Sequence, residues 1–297
     1  MSTTTTRRRT STQALWLSRL VALGIQYDGG MDESWEISSW AAWMTAIGRP
    51  TSTIKLRAYH LGKLAEAHPE PNDIDVDQLA QWLAAQSWAP NTRRSYRTSF
   101  RAYWSWRMAT GRATTSPAHL LPPITVPRAQ PRPAPEEVYR NALASASNDP
   151  RALLAIQLAA QCGLRRAEIA QLKREDLEHD LVGWSIRVTG KGGHERMVPV
   201  TDELARTIRE RSAGWLFPSS HGGHLTPHHL GKVVSAHLEG HYTTHTLRHR
   251  CGTIAYQGSR DLRAVQELLG HAKPETTAIY TAVGDQAIRS AMLAAAA

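Results

Sequence analysis

The chain has 297 residues, 41% of them hydrophobic, and its 35 Lys and Arg against 26 Asp and Glu give a formal net charge of +9. This length fits two ordinary domains, and the basic balance favours a polyanionic partner, nucleic acid first, although a merely basic protein stays possible on charge alone. With Cys162 and Cys251 as its two cysteines, the chain has no disulfide framework, which suits a reducing cytoplasm. No apolar run approaches the roughly 18 residues of a membrane span, so we expect no membrane partner.

The first predicted region, residues 1–30, opens with "MSTTTTRRRTST". It lacks the apolar core of a signal peptide, and we interpret it as a basic, flexible arm. A short amphipathic helix is possible over 13–26. Whether the arm contacts DNA is left open.

Residues 31–116 show four helical patterns in succession. One contains the tryptophans of "SWEISSWAAWMTAI", one follows a cap at Thr53, one begins at Asp75, and a long one follows a cap at Asn91 and stops at Gly111. Four helices in such a short stretch predict a compact all-α helical bundle.

Residues 117–135 contain seven prolines, which neither continue a helix nor pair in a sheet, and we predict an extended interdomain linker. Beyond it, in 136–297, the pattern is mixed. Helical patterns run from Pro135 to Gly163 and again from 202 onward, the last two near 274–281 and 285–294. "GWSIRVTG" and "ERMVPV" predict two strands joined across a glycine-rich hairpin. The fold class is therefore mostly α with a small β-sheet: an all-α domain followed by an α+β domain.

Charge is distributed unevenly along the chain. Residues 31–91 carry eight acids and four bases, whereas residues 92–133 carry eight arginines and no acid. Arg93, Arg97 and Arg101 recur every fourth residue on one helical face, with Arg94 beside them, and Tyr96, Phe100 and Tyr103 fall on the neighbouring, core side. We predict that these arginines contact the DNA backbone; a solvated arginine face is the alternative.

Four further stretches carry residues of chemical interest. "CGLRRAEIAQL" places Arg165 at a helix start with Glu168 one turn on. "GKGGHERMVPV" places Lys191 at the hairpin tip, and "HTLRHRCG" places His245 and Arg248 on one helical face, followed by His249. "LLGHAKPETTAIY" places His271 nine residues before Tyr280.

In this order and spacing, these stretches resemble the tyrosine recombinase (phage integrase, Xer-like) family. The resemblance covers the whole second domain and extends more loosely to 31–116, which is similar to the family's core-binding (SAM-like) DNA-binding domain. It implies that Arg165 and Arg248 clamp the scissile phosphate, Lys191 is the general acid, His245 and His271 complete the pocket, and Tyr280 is the nucleophile. Glu168 and His249 would be supporting residues.

Cleavage of a phosphodiester by a tyrosine requires residues of these types for chemical reasons that do not depend on the resemblance. Guanidinium groups keep their charge and can bind two nonbridging oxygens of a phosphate at once. A tyrosine hydroxyl, with a free pKa of about 10, needs a proton acceptor or cationic surroundings to attack. A phosphotyrosyl ester would conserve the energy of the cleaved bond, so neither ATP, a metal nor another cofactor is expected.

The resemblance implies a site-specific recombinase that acts on double-stranded DNA as a homotetramer on two sites, in the cytoplasm and associated with the nucleoid of a prokaryote or phage-infected host. Integration and excision of a phage or mobile element, with a possible DNA-bending or directionality factor, is the first interpretation. A Xer-like resolvase of chromosome or plasmid dimers is the alternative. A type IB topoisomerase or a non-catalytic DNA-binding protein fits the motifs less well.

A histidine-rich stretch invites a zinc interpretation. Zinc sites usually pair such spacings with cysteine or a repeated pattern, and neither is present, so we predict no metal site. The histidines in question are at 221, 224, 228, 229, 237 and 241.

Overall fold

The computed structural model of the chain describes residues 34–127, 132–190, 193–271 and 277. The chain divides into two compact units, Met1–Arg128 and Ala129–Ala297. The division falls inside the segment predicted as a linker. The arm at 1–30 and the helical patterns near 274–281 and 285–294 lie outside the described residues, except for Thr277.

In the described part of the first unit, all regular secondary structure is helical, as predicted. Its helices are α1 (Ile37–Ala46), α2 (Thr51–Ala65), α3 (Val76–Ala84), α4 (Pro90–Ala109) and the short α5 (Pro117–Leu120). Asp75 caps α3 as predicted, through a reciprocal pair of hydrogen bonds with Gln78.

Two predicted helix starts are wrong by a few residues. Helix α2 begins at Thr51 after Pro50 rather than after a cap at Thr53, and α4 begins with Pro90 rather than after a cap at Asn91. Proline suits the first helical position because its missing N–H would have no intrahelical partner there. Pro90 is therefore the first residue of the helix and not a boundary before it.

Aromatic rings form the core of the first unit. Tyr103 stacks on Trp35 with ring centroids 5.4 Å apart and donates its hydroxyl hydrogen to the Trp35 carbonyl. Phe100 and Tyr96 are buried beside them, which confirms that this side of α4 faces the core.

The linker prediction fails at its beginning. Residues 117–120 form α5, with Ser116 accepting a hydrogen bond from the His119 N–H, and Ala118 and Leu121 are buried in the first unit's core. Pro117 occupies the first helical position, where proline is tolerated, so the proline count alone overstated how extended this segment is.

The second unit contains helices and a small sheet. Its helices are α6 (Glu136–Ser145), α7 (Pro150–Gln161), α8 (Arg166–Ala170), α9 (Asp202–Arg209), α10 (Pro227–Ser235), α11 (Thr244–Ser259) and α12 (Leu262–Leu269). Helix α7 is buried on most of its surface, as its nearly continuous run of alanine and leucine requires. No helix in the described ranges is long and apolar enough to cross a membrane.

The sheet has three antiparallel strands in the order β1 (Leu177–His179), β2 (Trp184–Thr189) and β3 (Glu195–Pro199). The register pairs Val188 with Arg196 and Thr189 with Glu195, which confirms the predicted hairpin. The prediction missed β1, because three residues are too few to show an alternating pattern.

Gly163 lets the loop before α8 approach the last helices closely. Its φ is 63°, and a Cβ atom there would lie 2.4 Å from Leu269 Cδ2 and 3.1 Å from Cys251 Sγ. Only glycine fits this conformation without strain. The loop that leads to Arg165 is thereby held against α11 and α12.

Candidate active site

The second unit brings most of the predicted site residues together. Arg165 is the residue before α8, and Glu168 lies on α8. His245, Arg248 and His249 lie on α11, and His271 follows α12. Lys191 and Tyr280 lie outside the described residues, so their roles stay predictions.

Glu168 is the centre of this arrangement. Its carboxylate is 4% exposed and accepts hydrogen bonds from the Arg165 backbone N–H at 2.7 Å and from Arg165 Nη1 at 2.7 Å. Arg196 donates to both carboxylate oxygens, at 3.1 and 3.0 Å, and Arg248 Nη1 lies 3.9 Å from Oε2. One buried carboxylate therefore attracts three guanidinium groups, and the cluster keeps an excess of positive charge.

The pKa of Glu168 is lower than that of an ordinary glutamate. Burial by itself raises this pKa, but the hydrogen bonds from Arg196 and from Arg165 outweigh burial. The carboxylate is therefore ionised at neutral pH and continues to attract the arginines.

The same three arginines also bind the end of α12. Arg196 Nε donates to the Leu268 carbonyl at 3.2 Å, Arg248 Nη2 to the Leu269 carbonyl at 2.7 Å, and Arg165 Nη2 to the Gly270 carbonyl at 3.0 Å. The last carbonyls of a helix have no intrahelical donor and carry partial negative charge, so cations stabilise them. Three consecutive carbonyls are thus satisfied just before His271.

Arg248 is the most enclosed of the three arginines. It is 3% exposed and also donates from Nη1 to the Gly163 carbonyl. Arg165 keeps a 38% exposed side chain. Arg165 therefore presents the more accessible guanidinium, and Arg248 lies deeper behind it.

His245 and His249 lie one turn apart on α11, with ring centroids separated by 4.4 Å. Burial, with Arg248 and Arg165 nearby, lowers the pKa of His245. Burial, followed by the influence of His245 and Arg248, lowers the pKa of His249 to about 4. Both rings are therefore mostly neutral at pH 7.

His271 is 9% exposed, and its Nδ1 shares a hydrogen bond of 2.8 Å with Thr277 Oγ1. Gln266 fixes its backbone by exchanging two hydrogen bonds with it. Burial, then the nearby Arg248 and Arg165, lowers the pKa of His271 to about 4. A third neutral imidazole therefore lies beside the arginines.

The base of the hairpin that carries Lys191 lies near this cluster. Gly190 N–H donates to the His194 carbonyl at 2.7 Å, and a Cβ at Gly190 would lie 3.6 Å from Glu168 Oε1. Lys191 therefore follows directly after a glycine that lies close to the Glu168 carboxylate.

Two clefts flank Arg165. One, of about 590 Å³, is lined by Arg166, Lys232, His245 and Arg248 among others. The other, of about 780 Å³, is lined by Gly190, Arg196, Gly270 and His271 among others. Arg165 lines both, so its guanidinium is accessible to a ligand from either side.

The four predicted DNA-binding arginines lie on α4 of the first unit. Arg97 donates to the Leu121 carbonyl at 3.2 and 2.6 Å, Arg101 to the His119 carbonyl at 3.4 Å, and Arg93 to the Gln86 carbonyl at 3.0 Å. Arg94 is exposed and donates to Asn91. Three of the four therefore hold neighbouring loops and α5, which neither of the two sequence interpretations anticipated.

The histidines considered as zinc ligands contact different parts of the chain. His237 contacts Ser145 and Asp149, whereas His224 contacts the Leu225 carbonyl. In the part of the chain that the structure describes, no three His, Cys, Asp or Glu side chains are grouped so as to hold a metal ion.

Arg196 is the participant that the sequence reasoning missed. The motif around Lys191 includes this arginine, but the motif by itself indicates no role for it. The available signal was its position: it lies on a strand, so its side chain points to the face opposite Glu195 and Met197, which are exposed.

Comparison with known proteins places this site in a family. Residues 135–287, just over half of the chain, match the phage integrase family. Tyrosine recombinase XerC of Chromobacterium violaceum is 34% identical over 224 residues, which cover 70% of this chain and 73% of that protein.

Two solved structures share the fold. A lambda integrase dimer bound to a COC′ core site has a TM-score of 0.69 at 16% identity, covering 93% of this chain and 87% of that one. XerH site-specific recombinase bound to palindromic difH substrate has a TM-score of 0.65 at 23% identity, covering 82% and 78%. The family match, the XerC relative and the fold agree, and the chain belongs to the phage integrase family of tyrosine recombinases.

Proposed function

We propose that this chain is a site-specific DNA recombinase that cleaves and rejoins DNA strands through a 3′-phosphotyrosyl intermediate on Tyr280. The observation that carries the proposal is the convergence of Arg165 and Arg248 on Glu168 and on the carbonyls that precede His271. Cations preorganised in this way suit a phosphodiester, whose nonbridging oxygens gain charge in the transition state.

The arginines act as the phosphate clamp. Arg165 donates hydrogen bonds from Nη1 to Glu168 and from Nη2 to the Gly270 carbonyl. The exposed part of its guanidinium remains available for a nonbridging oxygen. Removing one preorganised donor of this kind typically costs about 10²–10³ in rate. Glu168 and the helix carbonyls hold the guanidinium before DNA arrives, so little reorganisation is needed during the reaction.

The remaining roles follow from proton transfer. The Tyr280 oxygen attacks phosphorus while its proton passes to a neutral imidazole of the site, the bond to the 5′ oxygen breaks, and Lys191 gives that oxygen a proton. The neutral imidazoles of His245, His249 and His271 are in the form that can accept a proton or a hydrogen bond. Religation reverses these steps, and no ATP, metal or other cofactor is required by the chemistry.

The substrate we propose is double-stranded DNA with a specific recombination site. The solved neighbours are bound to DNA core sites or difH substrate, as their descriptions state. Within this chain, residues 31–116 would be the core-binding domain and 136–297 the catalytic domain, with four protomers acting on two DNA sites. We place the reaction in the cytoplasm, at the nucleoid.

The subtype we favour is a Xer-like resolvase, because the XerC relative is 34% identical over most of its length. Integration and excision of a phage or mobile element is the second candidate, supported by the match to the phage integrase family. Junctions recovered from cells separate the two. A resolvase joins two copies of the same site, whereas an integrase joins two different sites and would require a directionality factor.

The test is covalent capture. Wild-type protein is incubated with sheared genomic DNA of its source organism, denatured in detergent and precipitated, and the attached DNA is sequenced. One enriched sequence is expected for wild type and none for Tyr280→Phe, which lacks only the hydroxyl oxygen. Adducts with Tyr280→Phe would remove Tyr280 as nucleophile, and unenriched adducts with wild type would favour a type IB topoisomerase. A chain that binds DNA but forms no adduct would be the non-catalytic binding protein.

A further inference from the structure

Arg196 has no role in the proposed reaction, yet it makes several contacts with residues of the site. It lies on β3, and its guanidinium forms a two-pronged ion pair with Glu168, through Nη1 to Oε1 at 3.1 Å and Nη2 to Oε2 at 3.0 Å. Its third nitrogen, Nε, donates to the Leu268 carbonyl at 3.2 Å. Each nitrogen of the guanidinium is thus engaged by the protein.

The space around this guanidinium is closed by Gly270. A Cβ atom at Gly270 would lie 2.8 to 2.9 Å from three atoms of the Arg196 guanidinium, so glycine is required for the close approach. Gly270 also has a φ of 62°, which favours glycine on its own account. The turn that presents His271 therefore rests directly on Arg196.

These contacts distinguish Arg196 from Arg165, the more accessible of the two proposed phosphate clamps. Its side chain is 14% exposed, against 38% for Arg165. A guanidinium whose three nitrogens are engaged inside the protein is poorly placed to bind a phosphate. It can, however, set the positions of the groups that do.

We infer that Arg196 is a positioning residue for strand cleavage, which fixes Glu168 and the carbonyl end of α12 so that Arg165 and His271 meet the scissile phosphate correctly. The inference rests on the proposed function. It assigns Arg196 no contact with DNA.

The physical reason lies in competition for Glu168. The carboxylate receives Arg196 on both oxygens, so Arg165 can use one nitrogen on Oε1 and the other on the Gly270 carbonyl. Without Arg196, both oxygens become available to Arg165, and a two-pronged Arg165–Glu168 pair would draw Arg165 away from Gly270. At the same time the Leu268 carbonyl would lose its donor and the His271 turn its support.

The variants are Arg196→Gln, which removes the charge, and Arg196→Lys, which keeps the charge but loses the planar fork. Arg187→Gln is the matched control, since Arg187 lies on the neighbouring strand β2, is exposed and pairs with Glu178. The probe is a nicked duplex bearing the sequence recovered by covalent capture. Single-turnover adduct formation at saturating DNA, DNA affinity and the folded fraction by circular dichroism are measured for each protein.

We expect Arg196→Gln to slow adduct formation by about 10–100-fold per folded molecule, the usual cost of losing a support to a reactive group. DNA affinity should change less than about twofold, and Arg196→Lys should be intermediate. Arg187→Gln should match wild type. A 5′-bridging phosphorothiolate, whose sulfur leaves without a proton, should not rescue Arg196→Gln.

Each other outcome overturns the inference in a recognisable way. If both Arg196 variants form the adduct at the wild-type rate per folded molecule, the residue has a purely structural role. The same holds if the only change is a lower folded fraction. Rescue by the phosphorothiolate would mean that Arg196 acts through Lys191, and a loss of affinity equal to the loss of rate would make it a DNA contact. If wild type itself forms no adduct, the proposed function fails and the inference falls with it.

Discussion

Arg165 and Glu168 are joined twice, because the Glu168 carboxylate accepts both the backbone N–H and the Nη1 hydrogen of Arg165, each at 2.7 Å. The first bond caps α8 and the second orients the guanidinium. The direction of a phosphate-binding side chain is thus tied to the backbone that starts the helix. The two bonds lead to predictions about stability, pH dependence and rate.

Glu168→Gln should lower the free energy of unfolding by roughly 3–5 kcal/mol, the usual cost of removing one partner from a buried ion pair. The amide keeps the shape of the carboxylate but leaves Arg165, Arg196 and Arg248 without their shared counter-charge. Urea denaturation followed by circular dichroism measures the change. Glu137→Gln, at an exposed position on α6, should change stability by less than about 0.5 kcal/mol. Equal effects of the two substitutions would contradict the central role of Glu168.

The pH dependence of the same variant has a definite sign. The folded pKa of Glu168 lies below its ordinary value of 4.5, so its contribution is complete above that value and is lost as the pH falls through the folded pKa. Wild-type stability should therefore fall below about pH 4.5 more steeply than that of Glu168→Gln. If the stability of the two proteins falls in parallel as the pH is lowered, Glu168 is not the group responsible for the loss.

The lowered pKa values of His249 and His271 predict a second, separate pH effect. The pKa values of His249 and His271 are about 4 in the folded protein, against 6.5 for an ordinary histidine. Between these values the unfolded chain binds more protons, so stability should decline as the pH falls from 6.5 towards 4. His249→Gln should flatten this decline. Denaturation midpoints at several pH values decide the matter.

The arginines of α4 should separate into two functions. Arg97→Ala should destabilise the first unit by about 1–3 kcal/mol, because it removes charged hydrogen bonds to the Leu121 carbonyl. Arg94→Ala should leave stability unchanged. If Arg94 contacts a phosphate, the slope of log affinity against log salt should fall by about 0.9. An unchanged slope would assign Arg94 to the solvated surface.

Lys191→Ala should be slow on ordinary DNA and largely rescued by a 5′-bridging phosphorothiolate, because a thiolate leaves without a proton. Arg165→Ala should not be rescued. The Arg165 guanidinium stabilises charge on the nonbridging oxygens, which the phosphorothiolate substrate retains. Adduct formation on the two substrates measures both effects. If Lys191→Ala is equally slow on each, the general acid lies elsewhere, and His245 is the next candidate.

Cleavage should continue in excess EDTA, because guanidinium groups already supply the positive charge that a metal would offer to the phosphate. The measurement is adduct yield with and without chelator. Loss of the adduct, restored by added magnesium or zinc, would show that the reaction needs a metal ion.

The sequence predicts elements well where the periodicity is long, whereas helix starts are less secure, since the predicted caps at Thr53 and Asn91 are wrong. The hairpin β2–β3 and the cap at Asp75 follow from nearby residues alone. Strand β1 was too short for a pattern, and α5 was hidden by the proline-rich composition around it. In both cases long-range packing, which the local sequence does not contain, decides the structure.

In the site, too, the local sequence predicts some features, whereas long-range contacts decide others. Motif order identified Arg165, Glu168, His245, Arg248 and His271, which the structure brings together. Strand alternation could point to the inward face of Arg196 but not to its partners, because one of them, the Leu268 carbonyl, is 72 residues distant in the chain. Similarly, the periodicity of Arg93, Arg97 and Arg101 indicated a shared face but not the carbonyls that this face meets.

The clustering of Arg165, Glu168 and the Gly270 carbonyl also has a consequence for biosynthesis. Arg165 and Gly270 are 105 residues apart, so at translation rates of about 5–20 residues per second the ribosome makes them roughly 5–20 seconds apart. Until α12 has emerged, the nascent chain has its arginines and Glu168 but not the carbonyls that orient them. Tyr280 is translated later still. With Tyr280 as the proposed nucleophile, we expect a product that terminates before residue 280 to form no covalent adduct with DNA.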